Sequence, residues 1–259
     1  MIKISAVSYL NTKPFLYGLF QKGIDEMVDL SLDIPSVCAQ KLVDGEVDLG
    51  LVPVAIIPKI KTPYIISDYC IGTEGEVNTV AIYSKRPLKE LTHIYLDYHS
   101  RTSAALTQIL FKEYWKSPVT FLQAEEGYIN EIEGTTGALV IGDRTIGLEM
   151  PYKYDLGIAW KRHTGLPFVF AAWVSNKPLP EEFISVFNKA LAYGVSRIHQ
   201  LVHLVPSPHP SFSMSDYYTK YISYKIDEPK QKALDLYLSK VVELPLIKAL
   251  EKPEFNVKY

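Results

Sequence analysis

The sequence predicts an α/β protein of two lobes with a ligand cleft between them, and three observations carry that prediction. Short apolar runs alternate with amphipathic stretches from the first residues onward, the pattern of βα units around a largely parallel sheet. The pattern restarts after a break near Lys85, and an apolar run from Phe168 offers a way back to the first sheet. Polar turns fall at the ends of several apolar runs, where an open α/β sheet presents free backbone N–H groups to ligands. The expected division is residues 1–85 with 168–259 as a discontinuous first lobe and 86–167 as the second. A single doubly wound domain, with some of these loops as mere connections, is the alternative.

Ile2 to Val7 reads as a buried strand. Pro14 suits the first turn of a helix running to about Phe20, because a proline there gives up no intrahelical hydrogen bond. Val28 to Ile34 alternates as a second strand. Pro35-Ser36 opens the next helix with Ser36 as its expected N-cap, and Gly45 closes it in the left-handed conformation. Asp48 to Val52 is a third strand, stopped by Pro53. Thr79 to Ser84 is another, with the crossing to the second lobe expected just after it near Lys85. Ile94 to Asp97 begins a new unit, whose helix keeps Leu106, Ile109, Leu110 and Tyr114 at i, i+3, i+4 spacing. Ala138 to Ile141 is a strand closed by Gly142-Asp143, and Phe168 to Val174 is the return strand. Helices fill Pro180 to Leu204 and Glu228 to Leu244.

Composition excludes several classes of function. The 259 residues are 47% hydrophobic with a formal charge of −2, so no global basic field exists for nucleic acid. The only cysteines, Cys38 and Cys70, are too few for a disulfide framework and read as reduced thiols. The first residues lack the apolar stretch of a signal peptide. The most apolar run, Leu49 to Ile57, contains Pro53 and stops at Pro58, well short of the roughly 20 residues that span a bilayer. A cytoplasmic location without membrane contact is expected.

Two turns stand out as candidate ligand-binding elements. Ser8-Tyr9-Leu10-Asn11-Thr12 offers two hydroxyls, a phenol and an amide, and Asn11 can donate and accept at once. The other reading of Asn11 is a turn or capping residue. Ser100-Arg101-Thr102-Ser103 stands at a predicted helix N-terminus, where free amides favour an anion and Arg101 adds a planar fork for a carboxylate. Its alternative is capping by Ser100 with a solvated Arg101. Gly142-Asp143 offers amides and one carboxylate at a strand end, a place where Asp is also a common turn former. His199 and His203 have the spacing of a helical zinc pair, but Gln200 occupies the position of the glutamate base. Neither a G-x-S-x-G elbow, a P-loop nor a G-x-G-x-x-G fingerprint is present.

The stretches Val7 to Phe15, Ser100 to Ser103, Ala138 to Asp143, Asp155 to Trp160 and Gly165 to Val169 together resemble the chorismate dehydratases of the futalosine route to menaquinone. They follow the family's order and span most of the first 175 residues; the C-terminal third is similar only in general character. The resemblance implies the type II periplasmic-binding-protein-like fold, with chorismate as the small-molecule partner and neither metal nor cofactor. It implies catalytic roles for Asn11 and for Thr79, which stands where the family carries a serine. Ser8, Tyr9, Asn78, Ser100, Arg101, Thr102, Ser103, Gly142 and Asp143 become the expected substrate-binding residues. Arg144 departs from the small residue usual after Gly-Asp. With no obvious base in the matched loops, the substrate's own enolpyruvyl carboxylate is the favoured proton acceptor, with Asp143 and His99 as rivals. A non-catalytic binding protein for a small carboxylate is the other reading of the same fold. The sibling enzyme that makes 1,4-dihydroxy-6-naphthoate is disfavoured, because its first loop reads Ser-Pro-Cys-Pro-Asn-Asp-Thr.

Overall fold

Apolar strand faces too wide for one layer to cover are divided here between two β-sheets flanked by helices. The computed structural model describes residues 1–20 and 24–244. In chain order the elements are β1 (Ile2–Val7), α1 (Lys13–Leu19), β2 (Val28–Asp33), α2 (Pro35–Val43), β3 (Leu49–Pro53), β4 (Tyr64–Thr73), β5 (Val80–Ser84), β6 (His93–Leu96) and α3 (Arg101–Leu110). There follow β7 (Thr120–Gln123), β8 (Thr136–Ile141), β9 (Tyr152–Asp155), α4 (Leu156–Thr164), β10 (Phe168–Ser175), α5 (Glu181–Ser196), α6 (Ile198–Leu204), α7 (Met214–Asp216), β11 (Ser223–Lys225) and α8 (Glu228–Val241).

The larger sheet has the order β11-β4-β10-β3-β1-β2 and the smaller the order β7-β6-β8-β5-β9. In the larger, β1 runs parallel to β2 and β3, while β10 enters antiparallel between β3 and β4. In the smaller, β6 is parallel to β7 and β8, and β5 is antiparallel to β8 and β9. The ends of β1 and β3 and the start of β10 therefore share one edge of the first sheet, and the end of β8 and the start of β5 share one edge of the second. Those two edges face each other.

Several expectations are corrected. β5 belongs to the second sheet, so the chain crosses before Val80 and not near Lys85. All five β5 residues are buried, and such a strand satisfies either sheet, which is why hydrophobicity alone misassigned it. Ile34, not Ser36, is the residue before α2, and no side chain caps that helix. β4 went unread because Ser67-Asp68 breaks its apolar run, and β7, β9 and β11 are short strands with too few buried residues to register. The helical stretch after Pro180 is two helices that break at Arg197. Residues 245–259 of the expected first lobe lie outside the described residues.

The crossover is held at both ends. Asn78 takes a left-handed backbone (φ 64°), which asparagine tolerates better than most residues. Its N–H and that of Val77 donate to Asp155, at 2.8 and 3.2 Å, and the same carboxylate caps α4 by accepting from Ile158 N–H at 3.0 Å. On the other side Glu74 pairs with Lys230, whose side chain is buried at the start of α8.

Beneath the first loop, Phe15 is fully buried among Trp173, Tyr224 and Tyr69, with ring centroids 5.2 to 6.2 Å apart. Helix α1, which carries Phe15, lies against α5 at a backbone-to-backbone contact. A Cβ on Gly194 would stand 1.9 Å from the Pro14 carbonyl oxygen, and one on Gly18 would stand 1.9 Å from that of Ala190. Neither helix can approach so closely with a side chain at the contact. Gly194→Ala is therefore expected to lower the unfolding free energy by about 2 kcal/mol, in the range of other overpacked cores. An unchanged urea midpoint would show that the helices separate freely.

Candidate functional site

The facing sheet edges enclose a narrow cavity of about 60 Å³. Its first wall is built by register partners: Pro53 and Ile71 both pair with Ala171, which puts three strand residues side by side at the sheet edge. The second wall starts from another such pair, Val80 and Ile141. Polar atoms come from Tyr9 and Asn11 in the first loop, Thr79 in the crossover, and Ser100 and Ser103 at the start of α3. Among the described residues that line it, none is a carboxylate, an imidazole, an ammonium or a guanidinium.

Each polar group has a fixed setting. Ser100 is the N-cap of α3: its Oγ accepts from Ser103 N–H at 3.1 Å and donates to Ser103 Oγ at 3.0 Å. That arrangement leaves the Ser103 hydroxyl proton for a ligand. Thr79, 2% exposed, meets the Tyr217 hydroxyl at 3.2 Å. Asn11 accepts from the Thr12 hydroxyl at 3.2 Å through Oδ1, and its backbone carbonyl accepts from the Tyr224 hydroxyl at 3.1 Å. The Asn11 amide also interacts with Tyr217. Sequence reasoning missed both tyrosines, since they lie far from the first loop in a segment without a periodic apolar pattern.

Two contacts pin the first loop to the second lobe. The Tyr9 hydroxyl meets His99 Nδ1, and the Leu10 N–H donates to the Asp143 carboxylate at 3.2 and 3.3 Å. Burial pushes the Tyr9 phenol well above its ordinary range, only partly offset by the Arg144 guanidinium, so the phenol stays protonated as the donor to His99. The His99 imidazole is pushed down by burial and then by Arg144, against a smaller opposite pull from Asp97, which favours the neutral acceptor. Burial raises Asp143, with the Leu10 N–H opposing. Small-molecule sites usually measure about 300 Å³ or more, so the cavity between these contacts is smaller than a ring-sized ligand needs.

Other expected residues fall elsewhere. Ser8 is exposed. Asn78 turns to β9, where Lys153 Nζ donates to its Oδ1 at 2.7 Å. Arg101 is exposed and lines a separate cavity of about 280 Å³ with Lys59. Thr102 is buried and structural, its Oγ1 accepting from Ala55 N–H at 3.2 Å and its carbonyl from the Tyr237 hydroxyl at 2.9 Å. The Gly142 N–H is taken by the Thr79 carbonyl at 2.8 Å and offers no anion site. Glycine is needed there for another reason: with φ 65°, a Cβ would stand 2.6 Å from the Tyr9 ring. Asp143 and His99 do not line the cavity. Arg144 points away from it and pairs with the buried Asp97 at 2.6 Å, beneath the rings of Tyr98 and Tyr128. Burial pushes Cys38 up to about 11 and Cys70 to about 12, which marks both as inert thiols. His199 and His203 are exposed on α6. Among the described residues no helix is long and apolar enough to cross a membrane.

Two sheets joined by a crossover, with a cavity at their facing edges, define the two-lobed class of periplasmic-binding-protein-like folds. Solved structures share it. A Candida albicans protein described as having the generic periplasmic binding protein fold superposes with a TM-score of 0.61 at 12% identity, over 98% of this chain and 92% of that one. An ABC transporter protein from Parabacteroides distasonis gives 0.65 at 18% identity, over 98% and 96%. The chain belongs to the menaquinone biosynthesis family, whose model matches residues 2–243. It is also 26% identical over 229 residues to a chorismate dehydratase from Thermus thermophilus, covering 79% of this chain and 83% of that protein.

His99 gives a pH prediction. A base whose folded pKa lies below its ordinary value, here 6.5, contributes full stability above that value and loses it as pH falls toward the folded pKa. The urea midpoint is expected to drop between about pH 7 and 5, and His99→Gln should flatten that drop. An identical pH profile in the variant would remove His99 as the source.

Proposed function

We propose that the chain is a chorismate dehydratase, a hydro-lyase that converts chorismate to 3-[(1-carboxyvinyl)oxy]benzoate for menaquinone biosynthesis by the futalosine route. The observation that carries this reading is a cavity whose lining, among the described residues, offers neutral hydrogen-bonding groups and no carboxylate, imidazole or ammonium to act as a base. Such a site suits a substrate that brings its own base. Family membership and the 26% identity to a chorismate dehydratase support the same assignment.

In the reaction the ring carbon bearing the enolpyruvyl ether loses its proton, which is acidified by conjugation to the ring carboxylate. The neighbouring carbon loses its hydroxyl, and the ring becomes aromatic as water leaves. The enolpyruvyl carboxylate takes the proton. Aromatisation supplies the driving force, so the protein has to fix geometry and support charge. The Ser103 hydroxyl, backed by Ser100, is placed to support the enolate-like charge that grows on the ring carboxylate. Asn11 orients the enolpyruvyl arm, and Thr79 faces the departing hydroxyl. His99 and Asp143 serve instead as the anchors of the loop that closes over the substrate.

The test is incubation of the purified chain with chorismate, followed by detection of the benzoate product. Turnover is expected, and tight binding without product would favour a binding protein on the same fold. Asn11→Ala is expected to lower kcat by about 100-fold. Turnover at the wild-type rate would remove Asn11 from its role. For Arg101→Ala the expected KM for chorismate lies within about two-fold of wild type, since an exposed charge outside the cavity is screened. A KM raised ten-fold or more would bring Arg101 back into the substrate site.

A further inference from the structure

We propose that Tyr217 is a positioning residue for the dehydration: its buried hydroxyl meets the Thr79 hydroxyl and sets the direction in which Thr79 faces the substrate. The inference rests on the chorismate dehydratase reading and names a residue of the same site.

Tyr217 opens a single π-helical turn, Tyr217–Tyr221, that continues α7. Such wide turns are rare and occur mostly as isolated turns, often at functional sites. Here the turn buries two consecutive tyrosines, Tyr217 at 0% exposure and Tyr218 at 1%. Adjacent residues on an ordinary helix point about 100° apart and seldom share one apolar environment. The turn is pinned by Tyr217 N–H to the Ser213 carbonyl at 2.9 Å and by Ile222 N–H to the Tyr217 carbonyl at 3.0 Å. Phe212 packs on the Tyr217 ring with centroids 5.1 Å apart. The phenol is therefore held from several sides and points at one place.

Hydrogen-bond accounting gives the direction of the chain of donors. The Thr12 hydroxyl donates to Asn11 Oδ1 at 3.2 Å, which leaves the Asn11 NH₂ as a donor. Because Thr79 gives its proton to the Val77 carbonyl, the phenol is the donor in its 3.2 Å contact with Thr79 Oγ1. The Thr79 hydroxyl donates to the Val77 carbonyl over a long 3.5 Å, a weak bond that a closer ligand oxygen can replace as the acceptor. Burial keeps Tyr217 protonated, so the chain does not run backwards at neutral pH. During elimination the carbon–oxygen bond breaks, and the departing hydroxide leaves as water with the proton taken from the adjacent ring carbon. Thr79 hydrogen-bonds that oxygen as negative charge grows on it, and Tyr217 keeps Thr79 in line.

Tyr218 supplies the internal control. Its hydroxyl is just as buried and has no hydrogen-bond partner among the described residues, so removing it disturbs none of their hydrogen bonds.

The experiment is steady-state turnover of chorismate by the full chain, its Tyr217→Phe, Tyr218→Phe and Thr79→Val variants, and the Tyr217→Phe/Thr79→Val double variant. Tyr217→Phe is expected to lower kcat about 10-fold or more with KM within about two-fold, while Tyr218→Phe matches wild type. The double variant should fall little below Thr79→Val alone, because the phenol acts only through that hydroxyl. Wild-type kcat in Tyr217→Phe, or effects that simply multiply in the double variant, would overturn the proposal. If Tyr217→Phe fails to fold, Thr79→Val breaks the same contact from the other side, and a wild-type kcat there overturns it equally. Absence of turnover by the wild-type chain overturns the dehydratase reading itself, an outcome distinct from an active enzyme indifferent to Tyr217.

Discussion

The carboxylate of Asp97 is the interaction on which the cleft depends. It sits just past the end of β6 with its side chain withdrawn from solvent, and four donors converge on it. These are the Tyr128 hydroxyl at 2.8 Å, the Ile141 N–H at 3.0 Å, the His99 N–H at 2.9 Å and Arg144 at 2.6 Å. They come from the loop after β6, the turn before β8, the end of β8 and the turn that follows it. One buried charge therefore fixes the relative heights of the strand ends that form the second wall. A buried carboxylate is costly unless it is paired and fully hydrogen-bonded, and breaking such a pair typically costs about 3–5 kcal/mol. Arg144 completes the compensation, with its guanidinium over two tyrosine rings.

From that anchor the rest of the site follows. The segment after Asp97 carries His99, which receives the Tyr9 phenol, and Ser100, which caps α3 and presents Ser103. The turn after β8 carries Gly142, which makes room for the Tyr9 ring, and Asp143, which receives the Leu10 N–H. Charged groups thus surround the cavity and organise it, while its lining stays neutral. This separation has a chemical consequence: the groups that could serve as bases are occupied in holding the loop, and the groups that face a ligand can only donate, accept or pack.

The strand ends at Val7, Pro53 and Ile141, the βα rhythm and the return from Phe168 were legible because each depends on local apolar periodicity and on turn chemistry. The first loop was legible as a polar strand-to-helix turn. Its neighbour across the cleft was read correctly as a capped helix start, whereas Arg101, expected to hold a carboxylate, is exposed beside Lys59: capping is a local hydrogen bond from the Ser103 N–H to Ser100, but the direction of the Arg101 side chain depends on what surrounds it. Gly142 was noticed for its amide, yet the Thr79 carbonyl takes that amide, and the residue matters for having no Cβ. Tyr217 was invisible, since its partner Thr79 lies 138 positions away.

By itself the sequence determined the α/β class, the two-lobed outline and the polar turns at the strand ends, because these follow from interactions between residues close in the chain. Only the tertiary structure decided to which sheet β5 belongs, which of the candidate residues reach the cavity and which are turned outward, and that among the described residues no carboxylate or imidazole lines the cavity. Those outcomes rest on register, on burial and on hydrogen bonds between distant segments. A fully buried strand pairs equally well with either sheet until its neighbours are known, and an arginine turns to whichever partner the fold brings within reach.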